Sequence, residues 1–194
     1  MLVFSLFICC KNSHLASSVS LSSLNPPAGT IKIGENFYLD KSSIRNIDYL
    51  EFLHWTKAVY GENSNEYKFI YPDTTFLSFS NKENKPLNGS LFTNPEFRLL
   101  DVLGVNTEQA VLFSKWRSDR VMEFLLIKHG IIKYNPNPKP DSFFTIQKYF
   151  TGQYNNTTPS AEILYYPEYR LLDSLSNTKL GFKNCCTFKK WETN

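Results

Sequence analysis

The sequence predicts an α+β domain, and three observations predict it: two helical stripes of apolar residues, several short alternating runs of strand length, and a chain long enough for one core. The 194 residues are 42% hydrophobic and 20% charged, a globular composition rather than a disordered or fibrous one. A domain of this size buries roughly 70% of the surface its unfolded chain exposes, so it holds a core without metals or staples. Mean hydropathy is −0.32, and no apolar run approaches the roughly eighteen residues of a membrane-spanning helix. The charge sum is 21 basic against 18 acidic residues. Those cations are scattered singly, whereas nucleic-acid binders gather them into a phosphate-facing stripe, so no nucleic-acid partner is expected.

The chain divides into a leader and tether, residues 1–25, and a domain, residues 26–194. Leu2 to Ile8 is an apolar run that ends at Cys9 and Cys10, and a polar, Ser-rich stretch without helical or strand pattern follows it. An apolar segment, a cysteine and a flexible polar tether resemble a bacterial lipoprotein precursor. That resemblance makes Cys9 and Cys10 lipidation candidates and implies a membrane attachment by lipid anchor only.

Within the domain, Pro26-Pro27-Ala28-Gly29 punctuates the end of the tether, and residues 30–34 alternate as a short strand. Residues 36–40 read as a second strand. Lys41-Ser42-Ser43 then offers an N-cap for a helix over 43–60, stopped by Gly61. The stretch 62–98 reads as a long loop with one strand at 74–79, and such loops often carry specificity. Val102 to Val105 reads as a buried strand end. Asn106 followed by Gln109 forms a capping-box pattern that opens a second helix over 106–129. After a proline-broken loop, residues 142–149 read as a short helix or extended turn and 151–160 as exposed polar chain. Residues 163–166 and 169–172 read as strand on either side of Pro167, and 180–183 as the last strand. The predicted core is Ile47, Leu50, Leu53, Phe113, Trp116 and Phe124.

On the second helix Ala110, Phe113, Arg117, Arg120, Val121 and Phe124 project onto one stripe. An arginine facing a core needs partners for its donors, since an unpaired buried charge costs several kcal/mol. Arg117 and Arg120 are therefore expected in structural ion pairs, with Asp48, Glu51 or Asp101 as partners. The vicinal Cys185 and Cys186 are weak metal candidates, because no histidine lies at zinc-ligand spacing. No catalytic motif for a serine nucleophile, a zinc protease or a phosphate loop occurs, so no catalytic residue and no cofactor are expected.

Two blocks carry a family resemblance. Pro27-Ala28-Gly29-Thr30, Phe37-Tyr38-Leu39-Asp40 and residues 44–53 form the first, and Leu103-Gly104-Val105-Asn106 with Lys115-Trp116-Arg117 the second. They resemble the formylglycine-generating-enzyme or sulfatase-modifying-factor domain, whose fold is C-type-lectin-like. Tyr49-Leu50-Glu51-Phe52-Leu53-His54-Trp55, Trp116-Arg117-Ser118-Asp119-Arg120-Val121 and Gly152-Gln153-Tyr154 are closest to the gliding-motility lipoproteins of the J type, associated with type IX secretion in Bacteroidota.

Tyr169-Arg170-Leu171 is similar to the start of the family's catalytic half, yet the chain reaches the likeness of its closing strand, Gly181-Phe182-Lys183, within about ten residues. The resemblance thus implies a shortened, non-catalytic, envelope-located scaffold with protein partners in the periplasm-facing outer membrane. Two alternatives stand beside it. One is a carbohydrate- or peptide-binding module using Tyr60, Tyr67, Tyr71, Phe76 and Phe79, and the other a copper-dependent oxidase using Cys185 and Cys186, since thiolates suit Cu(I).

Overall fold

Two strands open the domain: β1 (Thr30–Gly34) and β2 (Phe37–Asp40) pair antiparallel through the two-residue turn Glu35-Asn36, with a register shift between Lys32 and Gly34. The structure, a computed structural model, describes residues 26–73, 75, 91–172 and 178–192. Leu2 to Ile8, Cys9, Cys10, Phe76 and Phe79 lie outside the described residues. So does the strand expected over 74–79, apart from an exposed Thr75.

Helix α1 (Asn46–Tyr60) starts three residues later than the sequence suggests. Residues 44 and 45 are drawn into extended backbone pairing, because Ile44 donates to the Phe182 carbonyl and accepts from Val102 N–H, while Arg45 bridges Asp101. The cap is Arg45, whose own N–H donates to Asp48 at 3.0 Å. Inside the expected long loop lies α2 (Asn65–Ile70), capped by the Ser64 hydroxyl. A 3-10 turn, Pro95–Phe97, follows the residues outside the description.

The second long helix, α3 (Thr107–Lys128), begins at the expected capping box, with Asn106 and Gln109 exchanging bonds of 2.9 and 2.8 Å. Gln109 reaches back further and holds the carbonyls of Phe69 and Tyr71 at the end of α2. Just before α3 the chain passes Gly104 at φ +82°, where a Cβ would be driven into the Asp73 backbone. Asp73 N–H donates to the Gly104 carbonyl, so only glycine permits this approach. Helix α4 (Ile146–Phe150) is capped by Thr145. The polar stretch 151–160 is pinned at its middle by Tyr154, which is buried under Phe144 rather than exposed.

Strands β3 (Tyr165–Leu171) and β4 (Asn184–Lys190) complete an antiparallel four-stranded sheet in the order β1-β2-β4-β3. The molecule is therefore mixed α+β. Pro167 does not interrupt β3. Tyr169 N–H points away from β4 and donates to the Ser118 hydroxyl on α3 at 2.8 Å. Pro167 lies two residues earlier, with its ring nitrogen on that same outer side, so it costs no ladder bond. The closing strand lies beyond 180–183, which instead holds the end of the 3-10 turn Thr178–Leu180 and a connection without regular structure.

One face of the sheet packs on α3, and the core follows that contact. Phe113, 2% exposed, sits among the rings of Tyr49, Phe52, Trp116 and Phe182. A second cluster gathers Met122 and Leu126 of α3 with Phe144, Tyr149 and Tyr154, and a third joins Tyr38, Tyr169, Cys186 and Phe188. Of the expected core, Leu53 and Phe113 are buried, Leu50 and Trp116 pack partly buried, and Ile47 is half-buried. Phe124 is 62% exposed. The buried stripe beyond Phe113 runs instead through Ser114, Ser118, Met122 and Leu126, at steps of four residues, because small serines allow the helix to lie close on β3.

Phe113→Ala is expected to cost about 3–5 kcal/mol in urea denaturation, from lost burial and the cavity left among four rings. A loss below about 1 kcal/mol would mean that α3 does not present this face to the core.

Candidate functional site

The polar centre of the molecule lies where α3 crosses the sheet. The Arg117 guanidinium donates from Nη1 to Asp40 Oδ2 at 2.9 Å and stacks over the Tyr169 ring at 4.2 Å. The same Asp40 oxygen accepts the backbone N–H of Asn184 at 2.9 Å, replacing a ladder bond between β2 and β4. Asn184, fully buried, donates its side-chain amide to the Ser114 hydroxyl at 2.6 Å. Four elements, α3, β2, β4 and β3, thus meet in one network. Burial works against the Arg117 charge, but the hydrogen bond to Asp40 and the surrounding negative field outweigh it and hold the guanidinium more firmly protonated than usual.

A cavity of about 400 Å³ opens beside this network, between the start of α1 and the middle of α3. Its charged walls are Asp40, Arg45, Asp48, Glu51, Arg117 and Arg120. The expected ion pairs are distributed differently from the sequence reading. Arg117 takes Asp40 rather than Asp48, Glu51 or Asp101, because β2 and not α1 lies under its side chain. Asp48 is bound locally by Arg45, through two bonds of 2.9 and 3.0 Å. Glu51 lines the cavity and is exposed. Arg120, which borders both this cavity and the α1–α3 side of the helix, pairs with Glu123 one turn on and donates to the Phe144 carbonyl. Burial disfavours both charges of that pair, lowering the Arg120 pKa and raising that of Glu123.

Cys185 and Cys186 are adjacent in β4, not beyond the closing strand. Neighbouring strand residues point to opposite faces, so the two thiols do not converge on one ion. Cys186 packs with Tyr38, Tyr169 and Phe188, and burial pushes its thiol up to about 12. Cys185 lies opposite Leu39 and Arg170, and burial raises it too. Burial thus favours the neutral thiol at both positions.

The more ligand-like concavity was not read from the sequence. A groove of about 480 Å³ runs between α1, α2 and α3, lined by Phe52, Trp55, Tyr60, Phe69, Trp116 and Phe143. Trp55 meets Phe143 edge to face at 5.3 Å, and the Arg120 guanidinium lies over the indole ring at 4.8 Å. Asp119, Lys115 and Glu66 supply charge at its walls. The available signal was the Trp55 to Tyr60 spacing along α1, with Trp116 one helix away. Of the aromatic residues expected to bind, Tyr60 lines this groove, while Tyr67 and Tyr71 pack edge to face at the end of α2. An apolar, aromatic groove with few polar groups is the usual form of a small-ligand or peptide site.

Neither family models, nor curated proteins, nor solved structures match this chain.

Arg117→Met strands the Asp40 carboxylate in a site where only 4% of it is exposed, and is expected to cost about 3–5 kcal/mol. Adding Asp40→Asn should recover part of that loss, because the uncompensated charge disappears. Additive losses in a double-mutant cycle would mean that the pair is not coupled. A pH dependence comes from Asp119, whose Oδ1 accepts Ile146 N–H at 2.8 Å. Burial raises its pKa above the ordinary value, against that hydrogen bond and the nearby Arg120. The folded state therefore binds this proton more tightly than the unfolded state. The contribution is full below the ordinary carboxylate pKa and is lost as pH rises through the raised one. Asp119→Asn keeps the acceptor, so its stability relative to the parent is expected to climb across that window in denaturation titrations. A pH-independent difference would refute the assignment.

Proposed function

We propose that this chain is a non-catalytic scaffold or assembly domain of the cell envelope, built on a shortened C-type-lectin-like sulfatase-modifying-factor plan and related to the gliding-motility and type IX secretion lipoproteins. The observation that carries the reading is the contact between the two blocks of the resemblance. Asp40 of Phe37-Tyr38-Leu39-Asp40 and Arg117 of Lys115-Trp116-Arg117 are far apart in sequence and meet in one buried ion pair. Those motif residues are spent on joining a helix to a sheet. The β1–β2 hairpin followed by α1 supports the same plan, whereas Gly181-Phe182-Lys183, the likeness of the closing strand, precedes β4 rather than forming it.

The partner in this reading is a protein, and the attachment is a lipid on Cys9 or Cys10. The aromatic groove between α1, α2 and α3 favours a second reading, a carbohydrate- or peptide-binding module, because its wall is largely ring surface.

The test is co-purification from the native envelope under mild detergent, with the full chain and with a chain lacking residues 1–10. The scaffold reading expects a defined stoichiometric partner and loss of the membrane fraction on deletion. A lone chain that fractionates identically with and without the segment overturns it. Glycan and peptide arrays separate the second reading: binding that Trp55→Ala abolishes would favour the module.

A further inference from the structure

The two edges of the sheet are treated differently. On β3 the outer side faces α3, where the Ser118 hydroxyl takes the Tyr169 N–H and Pro167 has no donor to offer. Such features blunt an edge against further pairing. The outer side of β1 is closed only at Thr30, which is buried and tied to Pro27, and beyond it carries Lys32 and a register shift, features that discourage self-pairing rather than cover the backbone.

Backbone direction along β1 follows from its pairing. Lys41 N–H donates to the Gly29 carbonyl at 3.0 Å, and Thr30, Ile31 and Lys32 stand opposite Asp40, Leu39 and Tyr38. Antiparallel alternation then turns the N–H and C=O of Ile31 toward β2 and those of Lys32 outward. Thr30 N–H is taken by the Pro27 carbonyl. The outward set is therefore the Thr30 carbonyl with both backbone groups of Lys32. Ile31 and Ile33 are 45% and 55% exposed on one face of the strand, and the exposed Lys32 side chain stands on the other.

An outward N–H and C=O on one residue are matched by one residue of an added antiparallel strand, which exchanges both bonds with it. A second copy of this chain fits poorly. Two β1 strands meeting across a two-fold axis at this position would set Lys32 against Lys32, and like charges directly opposite destabilise a pair. An acidic side chain there is matched instead, with apolar neighbours beside the two isoleucines.

We propose that β1 is a docking edge for an extended segment of a protein partner, which adds antiparallel with an acidic residue opposite Lys32 and apolar residues on either side. This gives the scaffold reading a surface, and it rests on that reading only for the class of partner.

The test uses the full chain, isotopically labelled, with two blocked peptides as probes, Thr-Val-Glu-Val-Thr and Thr-Val-Lys-Val-Thr. The glutamate peptide is expected to slow exchange of the Lys32 amide by about tenfold at saturation and to bind up to about fivefold more tightly than the lysine peptide. Lys32→Glu should invert that preference. Lys32→Pro removes the outward N–H, leaves the Ile31 bonds to β2, and should abolish binding of both peptides. Unchanged exchange at Lys32 with millimolar peptide, equal affinity for the two peptides, or a peptide-free dimer that protects this amide would each overturn the proposal. In the native envelope, a partner retained in full by Lys32→Pro overturns this surface while leaving the scaffold reading intact. Absence of any partner with the parent chain is instead the failure of that reading.

Discussion

The fold depends on one buried carboxylate. Asp40 ends β2, and its Oδ2 receives both the Arg117 guanidinium of α3 and the Asn184 N–H of β4. This fixes which residue of β4 stands beside the end of β2. A slip of one residue would carry Asn184 to the opposite face of the sheet, away from Ser114 and Arg117, and would turn every side chain of β4 with it. A buried ion pair is a weak source of net stability, because desolvation consumes most of the attraction. Its contribution here is specificity: it selects one register among strands that are only four to seven residues long.

Burial supplies the energy that the polar network does not. The aromatic cluster around Phe113 and the second cluster around Met122 and Leu126 occupy successive parts of α3, so the helix is held along its length. Between and beside these clusters the serines do a different job. Ser114 and Ser118 return their hydroxyl protons to carbonyls one turn back and accept bonds from Asn184 and Tyr169. Their small size lets the helix approach β3 closely enough for a backbone N–H to reach a side-chain oxygen, which a larger residue would prevent.

Features governed by local chemistry were legible in the sequence. The Asn106–Gln109 capping box, the β1–β2 hairpin and the stop of α1 at Gly61 all depend on residues within one turn of each other. What misled was the assumption that apolar means buried. Phe124 points outward because the sheet meets α3 along the serine stripe, a fact set by long-range docking. The partners of Arg117 and Arg120 were assigned to the wrong element for the same reason. Charge and burial predict that a buried arginine has a partner, but only topology decides that β2 lies beneath one and the Phe144 loop beside the other. The groove between α1, α2 and α3 was hidden behind the failure to see α2, a helix of six residues inside a loop-like stretch.

The cysteines follow from strand parity rather than from reactivity. Once β4 runs from Asn184 to Lys190, alternate residues must serve alternate faces. Asn184, Cys186 and Phe188 turn to α3 and fill the space against Tyr38 and Tyr169, while Cys185 and Thr187 turn to the other side. A thiol suits position 186 because it is small and apolar enough for a fully buried site, and burial keeps it protonated. Charge would be costly there, a few residues from a carboxylate whose attention is already divided between Arg117 and Asn184. Cys186 is therefore part of how the closing strand seats itself on the helix, while Cys185 is buried on the opposite face, so the two pack separately.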